Sequence, residues 1–194
     1  MTMPSGQTGP SGTGEPVRLT VLQGQFKVSA GPRVELSTVL GSCVASCLYD
    51  PVAELGGMNH FLLSEPPASH SRGEVDVHYG VYLMEMLINE MLSYGARKDR
   101  LRAHLYGGAN IRVGMQQIGT ANAEFARGFL VRERIELVKQ DLGGIGARRV
   151  DFRPASGLVR CRTVAASDAP EAIAQPAARL APAQLAQRGE VELF

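Results

Sequence analysis

The sequence has no surplus of either charge. Its 20 Lys and Arg stand against 19 Asp and Glu, a formal net of +1. Phosphate contacts need surplus Lys and Arg, so this balance excludes a nucleic-acid binder that works by charge alone. Long hydrophobic runs are missing too. No apolar stretch reaches the ~18 residues of a membrane-spanning helix, so no membrane insertion is expected. Met1 to Pro16 shows no basic start followed by an apolar stretch, and no secretory signal is expected there. The resulting expectation is a cytoplasmic protein with reduced thiols. Cysteine is scarce and odd in number: three residues argue against a closed disulfide framework and fit no four-ligand zinc spacing. There is no internal repeat and no Gly-Lys-Ser/Thr phosphate loop, so Gly107-Gly108 and Gly143-Gly144 read as turns.

What is present is ordinary globular material. The 194 residues are 44% hydrophobic and 20% charged, enough for one domain with a real core. The first 16 residues hold four Gly, three Pro and five Ser or Thr, and read as a disordered tail. Residues 164–194 hold ten Ala, and Pro170, Pro176 and Pro182 prevent one long helix, so they read as a second tail. The folded unit is expected at 17–163.

Within it the pattern is mixed. Alternation predicts strands at Val17-Leu19-Val21, Phe26-Val28 and Leu101-Ala103-Leu105. Short apolar runs predict strands at Cys43 to Tyr49 and Met58 to Leu63. Ile135 to Val138, Arg149 to Phe152 and Leu158 to Val164 read as three more. Tyr79 to Tyr94, closed by Gly95, predicts a buried helix with a glycine stop. Thr120 to Arg134 predicts a second helix with Thr120 as its N-cap. Many strands with two helices make an α+β fold, and short links between strands point to a largely antiparallel sheet.

The chemistry concentrates in Leu40-Gly-Ser-Cys-Val-Ala-Ser-Cys-Leu-Tyr-Asp-Pro51 and Gly56-Gly-Met-Asn-His-Phe61. A cysteine behind Gly-Ser at the start of a strand can sit on an exposed lip, with backbone N–H groups near enough to hold an oxyanion. His60, 17 residues after Cys43, can lower the thiol pKa and act as general base. A type I turn at Asp50-Pro51-Val52-Ala53 opposes Cys43 to His60. A tighter turn at the glycines opposes Tyr49 to Met58 and sets His60 beside Cys47. Cys47 and Cys161 read more simply as small buried hydrophobes. His70, His78 and His104 read as structural or solvent-exposed.

These residues resemble the bacterial chemoreceptor glutamine deamidases, the CheD family. The resemblance continues in Tyr106-Gly-Gly-Ala-Asn110, Ile118-Gly-Thr-Ala-Asn122, Asp141-Leu-Gly-Gly144, Arg148-Arg-Val-Asp-Phe152 and Gly157-Leu-Val159. It implies a cysteine hydrolase that converts receptor glutamines to glutamate through a thioester, on a layered α/β sandwich. It implies no metal and no organic cofactor. The family cysteine falls on Cys43 and the histidine on His60. The family's third residue, a threonine six positions before the cysteine, falls on Ser37, the expected partner of His60; a one-residue shift would give that role to its neighbour Thr38. The partners it implies are the helical bundle of a chemoreceptor and the CheC phosphatase. An alternative role is a non-catalytic adaptor binding that phosphatase or the receptors.

Overall fold

In a computed structural model, the structure describes residues 15–63, 77–111 and 118–165. Among the described residues, nine strands form two sheets. The first, in the order β1-β3-β8-β9, joins Val17–Thr20, Val34–Leu40, Ala147–Arg153 and Leu158–Val164. The second, in the order β2-β5-β4-β6-β7, joins Gln25–Ser29, Leu55–Phe61, Val44–Asp50, Arg102–Gly107 and Glu136–Leu142. Helices α1 (Val77–Ser93) and α2 (Ile118–Glu133) pack on the second sheet. The result is a layered α+β sandwich: sheet, sheet, helices.

The expected single sheet is thus two, and the antiparallel expectation holds for five of the seven strand pairs. The parallel pairs are β1/β3 and β6/β7. Helix α2 carries the chain from β6 to β7, the crossover that a parallel pair requires. Strand β9 spans the Leu158 to Val164 expected of it. The readings of residues 1–14 and 166–194 as tails, and of His70, fall outside the described residues, as does the side chain of His78.

Strand β4 is buried along its whole length because it is covered on both faces. Val44 and Leu48 turn toward the helices, where Met84, Leu87 and Met91 of α1 and Phe129 and Leu130 of α2 complete one core. The α1 residues recur at helical spacing, which sets one stripe of the helix against the sheet. Each such side chain contributes roughly 1.5–3 kcal/mol by leaving water. Cys43, Ala45, Cys47 and Tyr49 turn the other way, into a second core between the sheets with Leu36, Leu40, Met58, Tyr106, Val150 and Phe152.

Helix α1 ends as the sequence predicts. Gly95 takes φ +98°, its N–H donates to the Leu92 carbonyl, and the Ala96 N–H donates to the Met91 carbonyl. Helix α2 starts two residues before the expected Thr120 cap. Thr120 lies inside the helix, where its Oγ1 accepts from Asn110 Nδ2 at 3.0 Å.

The β4–β5 hairpin follows neither expected register. Asp50 pairs with Leu55 and Ala45 pairs with His60. Asp50 does open the turn, but through its side chain: Oδ1 accepts from the Val52 and Ala53 N–H groups at 2.9 and 3.1 Å. Ala53 and Glu54, the latter at φ 50°, extend the expected two-residue loop to four. Burial works to raise the pKa of the Asp50 carboxyl. Hydrogen bonds from Arg97, Ala53, Arg100 and Val52 outweigh it and hold the carboxyl below its ordinary range.

Candidate active site

Residues 41–43 carry the chain from β3 in one sheet to β4 in the other. All three carbonyls of this crossing are held from one side. The Ala109 N–H donates to Gly41 O at 2.9 Å, Asn122 Nδ2 to Ser42 O at 2.8 Å, and the Gly108 N–H to Cys43 O at 2.8 Å. Asn122, fully buried on α2, also accepts the Leu63 N–H on Oδ1 at 2.8 Å. It therefore ties the cysteine loop to the chain just beyond β5.

The glycine pairs read as simple turns are the scaffold of this loop. Gly107 has φ +108°, and a Cβ there would run into the Cys43 carbonyl oxygen. The Gly143 N–H donates to Gly107 O at 2.9 Å and the Asn110 N–H to Gly144 O at 2.8 Å, so three loops stack behind the cysteine.

His60 faces Ala45, which puts Cys43 and Cys47 two residues to either side of that pair and on the same sheet face. Diagonal neighbours of this kind remain within reach of long side chains. Both cysteines are buried: Cys47 completely, with its pKa raised by burial, and Cys43 at 5% exposure rather than on the exposed lip expected of it. Burial pushes the Cys43 thiol up to about 12, and interaction with its own backbone N–H pulls the other way.

The imidazole is held by one ring nitrogen. His60 Nδ1 lies 2.9 Å from Thr38 Oγ1 and 3.4 Å from the Val21 carbonyl. The Thr38 hydroxyl donates its proton to Val21 O at 2.8 Å, so it accepts from His60. That fixes the proton on Nδ1 and leaves Nε2 as a bare lone pair. Nε2 is buried and has no hydrogen-bond partner among the described residues. Burial lowers the His60 pKa to about 4, with the Val21 carbonyl opposing. At neutral pH the resting pair is therefore a neutral thiol and a neutral imidazole.

Ser37 does not take the expected place beside His60. Alternation on β3 turns it to the opposite face, where its hydroxyl donates to Asp151 Oδ1 at 2.7 Å. Thr38 stands where Ser37 was expected. His104 is structural, with Nε2 3.1 Å from the Gly157 carbonyl and its ring stacked on Tyr49 at 5.3 Å. Cys161 lies on β9, apart from His60, with its thiol 3.7 Å from Asp141 Oδ2.

Two residues went without a role in the sequence reading. Asn122 ends one of the family-like motifs, but its contact with Ser42 is 80 residues distant in sequence. Gln23 carries no motif at all, yet its Oε1 accepts from Cys43 Sγ at 3.5 Å. Among the described residues no three His, Cys, Asp or Glu side chains gather as metal ligands, and no helix is long and apolar enough to cross a membrane.

Comparison with known proteins supplies the lineage. The family model described as CheD chemotactic sensory transduction matches residues 62–163. A protein of Zymomonas mobilis is 58% identical over 147 residues, 76% of this chain and 80% of its own length. The chain belongs to the CheD family. The Zymomonas protein bears the name Probable chemoreceptor glutamine deamidase CheD. A Caulobacter sp. protein (strain K31) has the same name, with 46% identity over 189 residues, 97% of this chain and 99% of that one. The CheD family model begins just after His60, whereas the Caulobacter alignment spans the whole candidate site. Among solved structures, the Bacillus licheniformis hypothetical protein YfiH superposes with a TM-score of 0.40 at 18% identity, over 60% of this chain and 49% of that one.

Proposed function

We propose that this CheD protein hydrolyses the side-chain amide of glutamines on a chemoreceptor helical bundle, with Cys43 as nucleophile, His60 as acid and base, and Thr38 as the residue that orients the ring. The observation that carries this reading is the state of His60. A buried imidazole with Nδ1 donated to a hydroxyl and Nε2 left without a partner is a base waiting for a proton. It lies on the sheet face that carries Cys43, a member of the intersheet core. The names of the relatives supply the substrate class.

The steps follow from the resting charges. The Cys43 proton passes to His60 Nε2 as Sγ bonds to the carboxamide carbon and the carbonyl electron pair moves onto oxygen. Transfer during attack suits a thiol whose burial disfavours standing ionisation. The tetrahedral species collapses, the C–N bond breaks, and the nitrogen leaves as ammonia with the proton from Nε2. Water then gives a proton to Nε2 and its oxygen to the thioester carbon. The C–S bond breaks, the thiol is restored, and the side chain is released as glutamate. The chain's own side chains suffice for each step, so no cofactor enters.

Ammonia release from purified receptor bundle tests the reading. Cys43→Ala is expected to abolish it with the thermal midpoint retained, and His60→Ala to slow it by ~10²–10⁴-fold. Release that continues in Cys43→Ala would refute the mechanism. A chain that supports receptor adaptation equally well with Cys43→Ala would be an adaptor instead.

A further inference from the structure

The Cys43 thiol donates to a carboxamide, the same functional group as the proposed substrate. That carboxamide belongs to Gln23, on the turn between β1 and β2. The turn is fastened to the base itself: the Gly24 N–H donates to the His60 carbonyl at 2.8 Å, and the Val21 carbonyl accepts from Thr38 and lies 3.4 Å from His60 Nδ1. The Val21 N–H donates to Ser37 O at 2.9 Å, and the Gln25 N–H to Leu22 O at 3.0 Å. Gln23 is thus delivered to the sulfur by a segment stitched to both β3 and β5.

The oxyanion of an attacked amide forms next to Sγ and needs preorganised donors there. The cysteine loop is read as the source of one, the Cys43 N–H, because its three carbonyls are all engaged elsewhere, toward Gly108, Ala109 and Asn122. We propose that Gln23 is the second oxyanion donor, its Nε2–H presented to the developing charge beside Sγ. In the resting state the carboxamide shows Oε1 to the S–H group. Once the thiol yields its proton, Oε1 faces a sulfur with nothing to donate. A half-turn about the terminal torsion, which is broad and two-fold, exchanges the carboxamide's resting contacts and brings Nε2–H into the same place. The donor shares its proton without transferring it, so the atoms and electrons of the reaction are unchanged.

This inference rests on Cys43 being the nucleophile, and the experiment separates the two. Full-length protein is assayed for ammonia release from receptor bundle, with Cys43→Ala as the control for the underlying mechanism. Gln23→Ala is expected to lower kcat by ~10²–10³-fold, the usual loss for one oxyanion donor, with KM little changed. Gln23→Glu keeps the size and an acceptor oxygen but removes the donor and adds a negative charge. It is expected to lose at least as much, and to shift the pH midpoint of Cys43 alkylation by iodoacetamide upward. Thermal midpoints of both variants should stay near the parent. A Gln23→Glu variant with parental kcat would overturn the proposal in favour of simple packing against the thiol. A Gln23→Ala variant faster than the parent would overturn it in favour of a side chain that blocks the substrate's place. If Cys43→Ala still releases ammonia, the mechanism fails before Gln23 is in question.

Discussion

Thr38 and Ser37 are chemically near-equal neighbours with opposite duties. The Thr38 hydroxyl links His60 to the Val21 carbonyl, and removing it leaves Nδ1 and that carbonyl without their shared partner. Thr38→Val should lower turnover roughly 10- to 100-fold, the range that corresponds to ~1–3 kcal/mol for buried groups left unsatisfied. Thr38→Ser should retain most of it. Ser37→Ala removes a hydrogen bond to the buried Asp151 carboxylate, so it should cost stability, by ~1.5–3 kcal/mol, and spare turnover. Turnover and thermal midpoint measured side by side decide the assignment, and a parental rate in Thr38→Val would remove Thr38 from the site. His60 carries a pH signature as well. Only its neutral form can accept the thiol proton, and burial lowers its pKa to about 4. The acid limb of kcat/KM, which reports the free enzyme, should therefore fall well below the ~6.5 of an ordinary imidazole. Rates that decline already between pH 7 and 6 would contradict this environment for the ring. Residue types and spacing single out Cys43 and His60, and the structure sets both on one sheet face, though not directly opposed. Between Ser37 and Thr38 the sequence does not choose, because nothing local to the pair says which face each takes. That parity is set by the pairing of β3 with β8, whose partners lie more than a hundred residues away.

Elements meet at glycines in two different ways. Gly95 and Gly107 both hold positive φ, at +98° and +108°. Around Gly95 a Cβ finds nothing within 4 Å, whereas at Gly107 it collides with the Cys43 carbonyl. Gly95→Ala should therefore cost only the backbone strain, ~1–2 kcal/mol, and leave turnover intact. Gly107→Ala should add a displaced cysteine loop and lose most turnover even at temperatures where the variant is folded. Circular dichroism melts beside the ammonia assay make the comparison, and equal rates in the two variants would break it. The same elements show what a sequence can disclose. Helix α1 announces itself through its apolar stripe and glycine stop. The β4–β5 register does not, since it turns on a single residue, Glu54, entering the left-handed region where sequence preference favours glycine. Gln23 is hidden for a similar reason: a turn residue gains its meaning only from what the turn is tied to.

The whole molecule is a stack of two sheets and a helical layer, and its two cores do different work. The helix-side core holds the larger share of the aliphatic side chains, and its patterns were readable. The intersheet core was not foreseen, because one sheet was expected and β3, buried on both faces, shows no clean alternation. Phe152 lies fully buried there. Phe152→Ala should destabilise the fold by ~3–5 kcal/mol and also reduce turnover, although the side chain is placed on β8 and contributes no group to the chemistry. Phe152→Leu should recover most of both. A variant that melts early yet turns over normally at low temperature would uncouple the two effects. The reason to expect coupling is where the hydrogen bond between Thr38 and His60 runs. Thr38 hangs from one sheet and His60 from the other. That 2.9 Å contact works as a feeler gauge set between two plates. Any partner, pressure or substitution that slides one plate over the other is registered first as a change in the shielding of the His60 Nδ1 proton, a signal that nitrogen-edited spectroscopy can follow in the intact molecule before any strand has come apart.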